Sequence, residues 1–165
     1  MSQPSTAAES QPLLDTLTGQ RRHVLGILEG LSEQDLQQPV LPTGWTCLGL
    51  VHHLALDVER FWFRGVMAGE PMNVGEDGWQ IPAGTSAEDV LNLYRREIEL
   101  ADVIINANSL DAAPAWWPAD LFGSFRLDNL REVLLHVIVE TATHAGHLDT
   151  VRELIDGRTW LILTD

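Results

Sequence analysis

The stretch DNLREVLLHVIVETATHAGHLDTVRELID, residues 128–156, is long and apolar at helical spacing, and it decides the predicted fold. Its apolar residues include Leu130, Val133, Leu134, Val137, Ile138, Leu148, Val151, Leu154 and Ile155. Gly157 follows directly, and glycine is common just beyond the end of a helix. The pattern predicts one amphipathic helix that begins near Asp128 and ends before Gly157.

Four polar side chains share one strip of this helix: His136, Glu140, His144 and His147. At 100° per residue, the last three lie about 40°, 80° and 20° from His136. Val133, Val137 and Val151 flank the strip, so it points at least partly toward the interior of the protein. The strip is therefore the first candidate for a functional site.

Three further helical patterns come earlier in the chain, over about residues 10–31, 46–68 and 86–108. Thr46 and Ser86 are the predicted N-caps of the second and third helices, and Gly69 ends the second. A short helical turn is predicted after Ser32, where Asp35 completes the spacing of a capping box.

The connections between these helices define the predicted architecture. Residues 69–85 hold four glycines and two prolines and predict a long loop. Residues 1–9 predict a loose polar tail ahead of a single domain, residues 10–165, and only residues 160–163 could form a short extended tail. The predicted fold is all-α: a four-helix bundle with a long connection between the second and third helices.

Composition excludes several classes of function. The chain has 24 acidic residues, ten cationic residues and a formal charge of −14, so it repels nucleic acid. No apolar run approaches the ~20 residues of a membrane span and no signal peptide is evident, so a cytoplasmic protein without a membrane partner is expected. The single cysteine, Cys47, is expected to be a buried apolar residue. Six tryptophans in an acidic helical bundle favour a homodimer.

A metal would explain the polar strip on an apolar helix. Burying a carboxylate with imidazoles costs several kcal/mol unless they are paired, hydrogen-bonded or metal-bound. Glu140 and His144 have the one-turn spacing of metal ligands in bundles, and His53 on the second helix is the natural third ligand. Two imidazoles and a carboxylate suit Zn²⁺ best, with Ni²⁺ or Fe²⁺ as alternatives, and leave a position open for substrate. The spacing alone also fits an exposed polar face or a buried hydrogen-bonded network.

Two motifs carry a family resemblance. Residues 44–55, GWTCLGLVHHLA, followed by Glu59, Arg60 and Trp62, resemble the second helix of DinB-like proteins. Residues 138–149, IVETATHAGHLD, ending in Arg152 and Glu153, are similar to the last helix of an actinobacterial branch of unknown function, and residues 156–159, DGRT, match too. The superfamily includes thiol-dependent S-transferases and mycothiol-dependent maleylpyruvate isomerase.

The resemblance implies a divalent-metal triad of His53, Glu140 and His144. Glu140 stands where most DinB-like members have His, as in the mycothiol-dependent isomerase. A shift of one residue in register would replace His53 by His52 as the ligand. Asp57 could orient His53 through its free ring N–H.

The activity that the resemblance implies is transfer of a small-molecule thiol, mycothiol in an actinobacterium, to a small electrophilic substrate. Arg60, Arg64 or Arg152 would line the pocket of an anionic substrate. A metal-dependent hydrolase, with His147 or Asp57 as the proton acceptor, and a non-enzymatic metal-binding bundle of the stress response are the alternatives.

Overall fold

The computed structural model describes residues 6–73 and 78–160. The helices in chain order are α1 (Thr6–Ile27), α2 (Glu33–Gln37), α3 (Cys47–His53), a π-helical segment (Leu54–Met67), α4 (Ala87–Ala107), α5 (Ala119–Phe122) and α6 (Leu130–Asp156). The described residues contain no β-strand, and none of their helices has the length and hydropathy needed to span a membrane. The all-α prediction is confirmed.

The predicted helix starts are confirmed by their caps. The Thr46 hydroxyl accepts a hydrogen bond from Gly49 N at 3.0 Å. Ser32 and Ser86 each form a complete capping box with the aspartate three residues later. Helix α6 is capped by Asn129 and ends, as predicted, before Gly157.

The first helix differs from its prediction at both ends: it begins at Thr6 instead of near Ser10, so residues 6–9, predicted as part of a loose tail, are helical. It ends at Ile27 instead of Leu31, and the chain turns through Gly30, whose φ of 82° favours glycine. The apolar spacing continues past this end because Leu28 packs in the core and Leu31 packs against it. The predicted tails fall largely on residues 1–5 and 161–163, which lie outside the described residues.

The second predicted helix is continuous but changes its winding. After His53 it continues in wider π-type turns to Met67, and Ala68 N donates to Phe63 O, five residues earlier, at 2.9 Å. Such turns often occur at functional sites. Gly69, with φ 72°, ends the helix as predicted.

The long helices pack in two pairs around one core. Helix α1 packs against α6, and α4 packs against the π-helical segment. Helix α3 contacts both α4 and α6. The chain between the π-helical segment and α4 is the predicted long connection, and both α3 and the π-helical segment contact α6.

A buried ion pair fixes the helices on the side of α1. The Arg21 guanidinium donates to both carboxylate oxygens of Glu59 at 2.7 and 2.6 Å, and the two side chains are 3% and 1% exposed. Arg21 also donates to Asp102 at 2.7 Å. The pair therefore joins α1, the π-helical segment and α4 at one point.

Candidate metal centre

Three side chains from two helices converge between α3 and α6. His53 is the last residue of α3, and Glu140 and His144 are one turn apart on α6. One ligand atom of each lies within 4.8 Å of the other two. His53 and His144 are 15% and 13% exposed and Glu140 is 39% exposed, so the cluster is half-buried and open on the side of Glu140.

Hydrogen bonding orients the His53 imidazole. Its Nδ1–H donates to Asp57 Oδ2 at 2.8 Å, which leaves Nε2 with a free lone pair. The Trp79 indole stacks on the ring, with centroids 4.4 Å apart and planes 15° apart. The ring is therefore held on one edge and on one face.

The His144 imidazole lies between two polar groups of its own helix. Its Nε2 is 3.7 Å from Glu140 Oε2, and its Nδ1 is 3.4 Å from His147 Nδ1. Burial, and then the imidazoles of His53 and His147, lower the pKa of His144 to about 4. His144 is therefore neutral at pH 7, which is the form that binds a metal.

His52 lies outside the cluster. It is buried, and its Nδ1–H donates to the carbonyl oxygen of Gly78 at 2.6 Å. The structure therefore places His53, and not His52, beside Glu140 and His144.

The donor set fits a divalent metal. Tetrahedral ligands about 2.0–2.2 Å from a zinc ion lie about 3.3–3.6 Å apart, so ligand atoms that lie within 4.8 Å of one another would have to approach by up to about 1.5 Å. The carboxylate of Glu140 supplies a negative charge beside two imidazoles, which offsets the desolvation of a cation. With three protein ligands, a fourth position would be open to a substrate.

A sequence model of the family described as mycothiol S-transferase matches residues 12–157 of the chain. The chain belongs to the mycothiol S-transferase family. The match covers α1 from Pro12 onward, every later helix in full and all three residues of the cluster. No curated protein and no solved structure matches the chain.

In this member of the mycothiol S-transferase family, the first histidine of the strip, His136, is not part of the cluster. Its ring centroid is 4.5 Å from that of Trp62 and 5.9 Å from that of Phe125. Burial lowers its pKa, against the effect of Glu140. His136 therefore belongs to an aromatic wall beside the cluster, which the sequence strip alone did not distinguish.

The three arginines predicted near the pocket separate into two groups. Arg60 and Arg64 line a groove of about 370 Å³ together with Asp57 and Phe61. Arg152 lies elsewhere: its guanidinium donates to Ile27 O at 2.7 Å and to the Asp156 carboxylate. The expectation that Arg152 lines the pocket is not supported, because this side chain binds the carbonyl end of α1.

The cysteine of this family member is a core residue. Cys47 is fully buried in the first turn of α3. Burial raises the pKa of its thiol to about 11, although Arg152 acts in the opposite direction. The thiol is therefore protonated at pH 7 and is no nucleophile, in agreement with the sequence expectation.

Proposed function

We propose that the chain is a metal-dependent enzyme that transfers mycothiol to small electrophilic substrates, with the metal held by His53, Glu140 and His144. One observation carries the proposal: a chain of the mycothiol S-transferase family brings two imidazoles and a carboxylate to one point and leaves one side open. Zinc suits this donor set best, and nickel and iron suit it next.

A bound divalent metal would supply the acidity that turns a thiol into a thiolate near pH 7. In the reaction, the sulfur forms a bond to the electrophilic carbon while the bond from that carbon to its leaving group breaks. The leaving group departs with the bonding electrons, and the thiol proton must leave the site. The protein's part is to hold the reactants together and to receive that proton.

His147 is the proposed carrier of the thiol proton. It is exposed, and its Nδ1 lies 3.4 Å from His144 Nδ1, so it stands between the cluster and solvent. Asp57 has a different proposed role, because its Oδ2 already accepts the Nδ1–H of His53. It fixes the tautomer of a ligand and does not act as a base.

The groove lined by Arg60 and Arg64 is the proposed site for the polar part of a substrate. Asp57, which accepts the Nδ1–H of the cluster residue His53, also lines this groove. Arg60 donates to Glu97 at 2.7 Å, and Arg64 donates to both Glu97 and Glu70, so their positions are fixed before a ligand binds. Phe61 adds an apolar surface to the same groove.

Enzyme assays with and without metal test the proposal. Zinc-loaded protein is expected to consume mycothiol and an alkyl halide in equal amounts. Removal of the metal by a chelator should abolish the reaction, and added zinc should restore it. Conversion of the electrophile without consumption of thiol would indicate a hydrolase, and full activity of the metal-free protein would refute the metal's role.

Glu140 is expected to act through both its charge and its ligand oxygen. Glu140→Gln keeps the shape but loses the charge, so zinc affinity should fall at least about tenfold, or about 1.4 kcal/mol. Glu140→His should restore binding because an imidazole at the same helical position can reach the same point. Calorimetric titration of the apo proteins measures both effects. Equal affinity for wild type and Glu140→Gln would remove Glu140 from the ligand set.

A further inference from the structure

The turn formed by Gly78 and Trp79 lies directly on the His53 side of the cluster. Three contacts hold it there. The Gly78 carbonyl accepts the Nδ1–H of buried His52 at 2.6 Å, and the Trp79 indole stacks on His53. The Trp79 carbonyl oxygen lies close to Gly49, where an added β-carbon would be only 3.2 Å away.

We infer that the Gly78–Trp79 turn is a positioning element for the metal ligands, held in place by His52. The inference rests on the proposed metal site, and it assigns a role to three residues that do not themselves bind the metal. His52 fastens the turn to α3, Gly78 makes room for the Asp57 carboxylate, and Trp79 orients the two imidazoles.

Gly78 is required because of Asp57. A β-carbon built on residue 78 would overlap the carboxylate of Asp57, with all three of its terminal atoms inside 3 Å. That same carboxylate accepts the Nδ1–H of His53. Any side chain at residue 78 would therefore push Asp57 away from His53, and the imidazole would lose the partner that fixes its tautomer and orientation.

Trp79 fixes the angle between the two imidazoles. It stacks on His53 and meets His144 at 67°, with centroids 5.8 Å apart. The two imidazoles themselves meet at 75°, with centroids 5.1 Å apart. An indole in contact with both rings restricts their rotation and excludes water from one side of the cluster.

Zinc titration of apo Gly78→Ala tests the inference. Zinc affinity is expected to fall about 10- to 100-fold, the usual effect of disturbing a group that orients a metal ligand. Gly19→Ala is the matched control, since a β-carbon there meets nothing within 4 Å, and it should bind zinc like the wild type. In an Asp57→Ala background, Gly78→Ala should cause no further loss, because the overlapping carboxylate is gone.

The outcomes separate the inference from the metal site itself. If Gly78→Ala binds zinc as tightly as the wild type, the proposed role of Gly78 is overturned. It is also overturned if Gly78→Ala lowers zinc affinity as much in the Asp57→Ala background as it does in the wild-type background. If Gly78→Ala does not fold, Trp79→Ala should weaken zinc binding and Trp79→Phe should retain it; equal binding by Trp79→Ala and wild type would overturn the inference. A wild-type protein without zinc affinity would instead refute the metal site.

Discussion

Replacing His144 by alanine is expected to lower zinc affinity by more than about 100-fold, because it removes a ligand and not merely a group that orients one. The remaining pair, His53 and Glu140, would hold the ion from two different helices with no third ligand between them. Transfer of mycothiol should be lost with the metal. Calorimetry on the apo protein measures the affinity directly.

His136→Ala is the matched control for this experiment. His136 lies on the same strip of the same helix, one turn before Glu140, but its ring contacts Trp62 and Phe125. Its removal should change zinc affinity by no more than about threefold, which is less than the tenfold change that corresponds to about 1.4 kcal/mol. A similar loss in both variants would show that disturbance of α6, and not loss of a ligand, explains the result.

Arg21→Met is expected to destabilise the fold by about 3–5 kcal/mol, the usual cost of removing one partner of a buried ion pair. The carboxylate of Glu59, which is 1% exposed, would stay buried without the Arg21 guanidinium that now donates to both of its oxygens. The midpoint of urea unfolding should fall at an unchanged m-value.

Two further measurements identify the buried charge as the cause. Burial already raises the pKa of Glu59 against the effect of Arg21, and loss of Arg21 raises it further. When the pKa of a carboxyl is higher in the folded protein than in the unfolded chain, the protein loses stability as the pH rises through the folded-state pKa. The loss of stability caused by Arg21→Met should therefore be smaller near pH 5 than at pH 8. The double variant Arg21→Met, Glu59→Leu should recover most of the stability that Arg21→Met loses, because it removes the unpaired buried carboxylate. If the double variant is as unstable as Arg21→Met alone, the buried charge is not the cause.

The helices could be predicted from sequence because their signals are local. Thr46, Ser86 and Gly157 act within one turn of themselves, and the structure places the corresponding helix ends beside them. The π-type winding after His53 was not predicted, because no residue pattern in the sequence marks where the winding of a helix changes. The early end of α1 was missed because Leu28 and Leu31 continue the apolar spacing through a turn.

In the candidate site, too, some features could be predicted from the sequence and others could not. Glu140 and His144 could be paired from their spacing, His53 could be proposed as the third ligand from its place on the second helix, and the family resemblance implied the same triad. The choice between His52 and His53 required the structure, because His52 is occupied by the carbonyl of Gly78, 26 residues away. Gly78 lies so close to the Asp57 carboxylate that a β-carbon there would overlap it, which explains the glycine at this position. No local sequence pattern indicates such a long-range contact.

Elemental analysis is the most direct test of whether His53, Glu140 and His144 together hold one divalent metal. The protein should be purified without chelator and without a nickel affinity column. We expect close to one zinc per chain in the wild type and almost none in the His53→Ala, His144→Ala double variant. A wild type that carries no metal, or a double variant that retains the full amount, would contradict this metal site.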